Sequence, residues 1–549
     1  MIKKHISKLD NYGFLFWNIS FGINILWVFL IMFSLNESQL YVYFNSDTLY
    51  LPSIFKDVFI DKTGFSGWNL NAAPNFFPDM LLYFVFNAVF QDFRLAMLLF
   101  SAFQYSLLLY LLNLVLKEIS KNVTWNILAV GNLMMLSVFF VTSVTGDFSF
   151  TFYIISISYH LGPFIMAIAC LLILMKYMKT GRNKYLFIML ALGFLGVFSN
   201  RLFIVMFVFP SASLVLFWKS IELRPILIKS ILTIITFTIS GIIAFKILKG
   251  LGIVNVASTD WKMFYFSNIS SSFKIMFSQH LRYIYLMDFR GIIVILSTIS
   301  FFIILRIAIK YFLRVCIRQE KDFNLPKVFF SFFFVAFFLI VLFMPVINGS
   351  YVGWAILRYN VYVFYFALFS YTFIIYYYIN KNKHYGKRIF IYFFLVFFGV
   401  IDTYTIFYST KHSIREGHSE YFNYYPEYVE CADKISKEHN LQYGVAEYWL
   451  AKKISMFSKN DLRVYTVHSN AAIWYHVMNK NWYYKTGKGK YGNPEFKFVI
   501  SNSLNHDSIR KHMGEPINIF DCSGTLKVWE YPEFQFDKST RRPSLLVSD

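Results

Sequence analysis

The sequence predicts an all-α polytopic membrane protein over residues 1–409, followed by a soluble α/β domain over residues 410–549. Three observations carry that expectation. Of 549 residues, 57% are hydrophobic and only 15% charged, where soluble chains carry about a quarter charged residues. Apolar runs of span length recur through the first 409 residues, and a crossing helix needs about 20 mainly apolar residues. After Tyr408 the composition turns abruptly to short alternating segments and turn residues. The formal charge of +21 divides unevenly: residues 410–549 carry 19 Lys and Arg against 16 Asp and Glu, which leaves +18 for the rest. Placed in loops between apolar runs, that excess marks topology rather than a nucleic-acid surface.

Taken in order, the basic start MIKKHISK sends residues 14–33 outward. That run is of full span length and has no small-residue cleavage pattern, so it is not expected to be a cleavable signal. A long aromatic loop over residues 45–79 follows on the outer side. Residues 79–90 are apolar but only about 12 long, which suits a helix lying in the interface. Spans are expected at 94–116, 125–144, 152–174, 185–198, 202–218, 230–248, 292–309, 328–347, 357–379 and 390–408. With the first, they make eleven. The basic stretches LKEISK, KYMKTGRNK, KSIELRPILIK, RIAIKYFLRVCIRQEK and NKNKHYGKR then all fall on the cytoplasmic side, with the N-terminus.

In the terminal domain, YPEYVECADKISKEHN has helical spacing, and QYGVAEYW, RVYTVHS, FKFVIS and LKVWEY read as short strands. The domain is expected to be a packing lid without chemistry of its own. Cys431 and Cys522 fall within it on the outer side. They could pair as a disulfide; two unpaired buried thiols is the other reading. Cys170, in a span, and Cys316, in a basic loop, suggest no metal site.

On this topology the distinctive polar residues collect at the outer face. They are Asp47, Asp57, Asp61 and Asp79 in the first loop, then Asp147, His160, Asn200-Arg201, Arg282, Asp288, Arg290 and Arg358-Tyr359. Ionisable groups at membrane depth are costly and usually face a water-filled cavity or a bound charge. A carboxylate there can serve as general base on an acceptor hydroxyl, and arginines can hold a phosphate bidentately. Base plus phosphate clamp is what sugar transfer from a polyprenyl-phosphate carrier requires. Each candidate has a plainer reading. Asp47 caps a helix beginning at Thr48, Asp79 complements a helix dipole, Asp147 is a turn residue and Arg358 snorkels to the headgroups. Asp57 and Asp61 read as solvated loop charges, Trp68 as a belt aromatic, and Asp402 has no explanation.

The layout resembles the GT-C superfamily of integral-membrane glycosyltransferases, such as the lipid A aminoarabinose transferases and the protein O-mannosyltransferases. The likeness covers residues 1–230 and, more loosely, the late spans. In that family an acidic residue follows the first span, often with Tyr three positions on, where this chain has Asp47-Thr48-Leu49-Tyr50. The family's loop closes with Pro, an interfacial helix and a helix with an early Arg; Pro74, Pro78, residues 79–90 and Arg94 look similar. Its second acidic site commonly reads Asp-Pro-Phe, whereas this chain has His160-Leu161-Gly162-Pro163-Phe164, with Asp147 upstream. Arg358-Tyr359 resembles the family's donor-phosphate Arg-Tyr.

The resemblance implies a transferase in a bacterial cytoplasmic membrane with a periplasmic terminal domain. Its donor would be a polyprenyl-phosphate-linked sugar, such as an undecaprenyl-phosphate sugar, and its acceptor an envelope glycan or glycolipid such as O-antigen. Asp47 would be the base, with Asp79, Asp147 and His160 placing the acceptor or a divalent metal ion. Tyr50, Arg94, Arg201, Arg358 and Tyr359 would bind substrate. Two ligands, Asp147 and His160, are too few to define a metal site. A lipid-linked glycan transporter or a non-catalytic assembly protein are the rival readings.

Overall fold

The computed structural model describes residues 12–545, leaving aside 121–122, 146–147, 219–220, 258–264, 286–288, 318–322, 354–355, 523–525 and nearly all of 382–419. Among the described residues, eight helices are long and apolar enough to cross a membrane. They are Gly13–Ser34, Phe93–Ile119, Trp125–Thr142, Leu161–Thr180, Arg224–Gly250, Arg290–Val315, Leu325–Ile347 and Leu357–Tyr378. The expected crossings at 185–198 and 202–218 appear as the shorter apolar helices Lys184–Ser199 and Ile204–Phe217. Most of 390–408, with Asp402, lies outside the described residues, as do Asp147 and Asp288.

Lipid offers helices no hydrophobic drive to associate, so polar side chains and close packing must fasten them. The first three spans show this directly. Asn24 Nδ2 donates to the Asn132 carbonyl at 2.9 Å, and Asn132 Nδ2 donates to Ser20 Oγ at 3.1 Å. Asn113 Nδ2 donates to Asn132 Oδ1 at 2.8 Å and the Trp17 indole to Asn113 Oδ1 at 3.0 Å. Further along, aromatic stacking takes over: Phe301 packs on Phe338 with centroids 4.5 Å apart.

One expected span is broken. Instead of running from 152 to 174, the chain forms a short helix, Ser149–Ile155, then an irregular turn, and starts its span at Leu161. Ser158 and His160 hold φ of 68° and 66° in that turn, a region uncommon outside glycine. Irregular backbone survives at such depth only where the protein itself satisfies it. Here Gln104 Nε2 donates to the Ser156 carbonyl at 3.2 Å. Ser101 Oγ reaches the Ile155 carbonyl and the Tyr365 hydroxyl reaches that of Phe150. Ser101 is eight residues into its helix, so the turn lies about 12 Å below that helix's end, at 1.5 Å per residue.

The terminal region is an α/β layer. Its sheet runs in the order Arg463–Thr466, Tyr443–Ala446, Phe496–Ile500, Leu526–Phe536, Asn518–Cys522, with Pro543–Leu545 added beside Leu526–Phe536. The first three strands are parallel and the others pair antiparallel. The expected helix is present as Glu427–His439, and Cys431 and Cys522 form a disulfide that ties it to strand Asn518–Cys522. A second, three-stranded sheet joins the layers. Trp68–Leu70 from the first loop pairs in parallel with Asn255–Val256 and antiparallel with Met478–Asn479 of the terminal domain. The first loop is thus the floor on which the domain sits.

Candidate functional site

Asp47 is the centre of a group drawn from four parts of the chain. Asn45 caps the turn that carries it: Asn45 Oδ1 accepts from the Asp47 and Thr48 amides at 2.8 and 3.0 Å. The cap is therefore Asn45, and the Asp47 carboxylate is left for other contacts. Oδ1 accepts from the Tyr448 hydroxyl at 2.6 Å, and Oδ2 from the Tyr159 hydroxyl at 3.3 Å. The Arg358 guanidinium approaches Oδ2 at 3.7 Å, with the Asp47 side chain 16% exposed and that of Arg358 27%. Arg358 Nε is buried with no hydrogen-bond partner among the described residues.

His160 is joined to this group through Arg358-Tyr359. The guanidinium lies 4.9 Å from the Tyr359 ring centroid, and that ring stacks on His160 at 5.1 Å. His160 Nδ1 meets Asn200 Nδ2 at 3.0 Å, so the neutral imidazole keeps its hydrogen on Nε2. Asn200 Nδ2 also donates to Asn75 Oδ1 at 2.8 Å, which binds the loop, the turn and the Lys184–Ser199 helix together.

Asp79 lies against the start of the next span. A Cβ on Gly162 would stand 2.1 Å from Asp79 Oδ2, so glycine alone allows this approach. Asp79 Oδ2 is buried without a hydrogen-bond partner among the described residues. Burial raises the group to about 7, so it holds its proton through the acid range.

Other expected site residues are placed elsewhere. Tyr50 is fully buried and donates to the Pro74 carbonyl at 3.3 Å. Arg94 donates to the Phe422 carbonyl and, at 3.2 Å, to that of Tyr424. The Tyr50 hydroxyl and the two terminal nitrogens of Arg94 thus go to main chain, shaping the loop and tethering the terminal domain, while Arg94 Nε is buried without a hydrogen-bond partner among the described residues. Arg201 lies over the Phe245 ring at 5.2 Å, Arg290 lies over Tyr283 at 4.7 Å, and Arg282 is exposed. Asp147 lies outside the described residues. Among the described residues no three His, Cys, Asp or Glu side chains gather in a way that could hold a metal ion.

The expectation of solvated charges at Asp57 and Asp61 is wrong, and so is that of a belt aromatic at Trp68. All three are buried, at 3%, 3% and 1% exposure. Asp57 Oδ2 accepts from Trp68 Nε1 at 2.7 Å and Asn479 Nδ2 at 2.6 Å, and Oδ1 from Trp482 Nε1 at 2.8 Å. Asp61 pairs with Arg463 at 2.8 Å.

The terminal domain also contributes to the Asp47 group, which the reading as a packing lid missed. Besides Tyr448, buried Lys452 donates to the Ser46 carbonyl at 3.1 Å. Burial pushes it down to about 7, with the Asp47 charge pulling the other way. His476 stacks on Trp474 at 4.8 Å and meets Tyr448 edge-on at 5.1 Å. The spacing from Tyr448 to Lys452, one helical turn, was the available sequence signal. Nothing along the chain links those residues to position 47.

Chemically, the arrangement offers a carboxylate that is oriented but not saturated, a cation with free valence beside it, and a neutral imidazole N–H close by. Compared with protein-family models and with curated proteins, the chain matches none.

Proposed function

We propose that this protein is an integral-membrane glycosyltransferase of GT-C type, moving a monosaccharide from a polyprenyl-phosphate donor to an envelope glycan or glycolipid. The observation that carries the reading is Asp47, steered by Tyr448 and Tyr159 and left partly open beside Arg358. In this scheme Asp47 takes the proton of the acceptor hydroxyl as the new glycosidic bond forms at the sugar's anomeric carbon. The bond from that carbon to the donor phosphate breaks, and Arg358 stabilises the charge left on the polyprenyl phosphate. His160 Nε2–H is a further neutral donor for a phosphate or sugar oxygen.

Eleven spans, a cytoplasmic N-terminus and an extracytoplasmic terminal domain belong to the same proposal. It is supported by helix ends such as Ile119 and Asn324, which meet at 3.0 Å on the end bearing the basic loops. The Cys431–Cys522 disulfide suits an oxidising compartment. The test is mass spectrometry of envelope glycans from cells with and without the gene. Loss of one hexose- or pentose-sized increment supports the reading, and identical spectra contradict it.

A further inference from the structure

Between helix Glu37–Tyr43 and the terminal domain lies an open cleft in two adjoining lobes, about 730 and 420 Å³. That is the size of small-molecule sites, about 300–1,000 Å³. Both lobes share Tyr41, Val42, Glu447 and Ser503; one extends to Glu37 and Tyr428, the other to Asn45 and Trp449. We propose that this cleft is the acceptor subsite and that it takes a neutral or amino-bearing saccharide, an inference that rests on the transferase reading above.

Three features of the cleft support that occupant. First, its position: it ends at Asn45, whose side chain caps the Asp47 turn and accepts from Tyr159 at 3.1 Å. Asp47 Oδ1 faces Tyr448, whose chain neighbours Glu447 and Trp449 line the cleft, whereas Oδ2 faces Arg358. Asp47 does not itself line the cleft: it lies behind Asn45 and Tyr448, with Arg358 on its other oxygen, so an acceptor hydroxyl reaches it by extending past Asn45.

Second, its surfaces: Tyr41 and Trp449 present rings that are 41% and 47% exposed, suited to the apolar faces of sugar rings. The hydroxyl of Tyr428 is buried and without a hydrogen-bond partner among the described residues, and carboxylate and amide groups beside it match sugar hydroxyls. Third, its charge: Glu37 and Glu447 oppose a phosphate-rich or uronic-acid acceptor, because like charges brought together disfavour binding. Lys453 also lines the cleft, buried over the Tyr41 ring, and its charge partly offsets that of Glu447, which leaves Glu37 as the unopposed acid there.

Val42 is 49% exposed, so enlarging it to Trp fills the cleft without disturbing a core. Cells carrying wild type, Val42→Trp, Trp449→Ala or Asp47→Asn are compared by glycan mass spectrometry. Each purified full-length protein is checked by gel filtration and for binding of undecaprenyl phosphate. The inference expects at least a tenfold loss of the added sugar in Val42→Trp and Trp449→Ala, with undecaprenyl phosphate binding unchanged in both. If Val42→Trp aggregates, Trp449→Ala carries the test. Normal product in the folded cleft variants while Asp47→Asn abolishes it overturns the cleft but leaves the transferase reading standing. Lost undecaprenyl phosphate binding would make the cleft a donor site and also overturns it. Identical glycans from wild type and Asp47→Asn bring down both.

Discussion

The first loop carries aspartates of two kinds, and the contrast between them is the most instructive in the molecule. Asp57 and Asp61 are buried and committed to protein partners: the first takes three N–H donors and the second pairs with an arginine at 2.8 Å. A buried carboxylate in that state is a fastener, because any change leaves charge or donors stranded. Asp47 has two hydroxyl donors, an arginine only at 3.7 Å, and some solvent. Asp79 is buried with one oxygen lacking a partner. Close pairing with N–H donors inside the protein separates the carboxylates that hold the fold from Asp47, whose arginine stands off at 3.7 Å.

If that separation is sound, stability effects should fall in order from the fasteners to Asp47. Arg463→Met, which strands Asp61, should cost about 3–5 kcal/mol and lower the thermal midpoint in detergent more than any other single change here. Asp57→Asn, which turns one of the two acceptor oxygens into a donor facing an indole N–H, should cost about 2–3 kcal/mol by the same assay.

Asp79 should show its difference through pH. Its folded value of about 7, against 3.8 for a free aspartate, means the folded chain holds this proton more tightly than the unfolded one. Stability from the protonated form is complete below pH 3.8 and is lost as pH rises through 7. Asp79→Asn should therefore match wild type near pH 4 and exceed it increasingly towards pH 8, by about 4 kcal/mol at most. A pH-independent offset between the two proteins would contradict this. Tyr448→Phe should cost about 1 kcal/mol or less in stability, yet slow sugar transfer, because it frees Asp47 to turn. Equal product formation by the folded variant would place Tyr448 among the fasteners.

Much of this could be read along the chain. Long apolar runs marked the eight helices of crossing length, and four short segments of the terminal domain marked strands, although QYGVAEYW keeps its strand only to Ala446 and enters the helix Tyr448–Phe457. What could not be read depends on partners far away. Asp57 and Asp61 looked solvated because Trp482, Asn479 and Arg463 lie some 400 positions later in the chain. Tyr50 and Arg94 matched a family pattern by position, but their donors go to carbonyls of Pro74, Phe422 and Tyr424. The break at 156–160 was hidden because Ser-Ile-Ser-Tyr-His sits between two apolar segments whose combined length passes for one span. Side chains from elsewhere in the chain satisfy the carbonyls at the break: Ser101 that of Ile155, Gln104 that of Ser156, Asn75 that of Ser158 and Tyr362 that of Tyr159.

The most direct measurement compares Asp47→Asn with wild type in the same cells, by glycan mass spectrometry alongside gel filtration and thermal stability of the purified proteins. The account predicts a folded variant within about 1 kcal/mol of wild type whose cells lack one monosaccharide increment. A folded Asp47→Asn protein that leaves the glycans unchanged would contradict it.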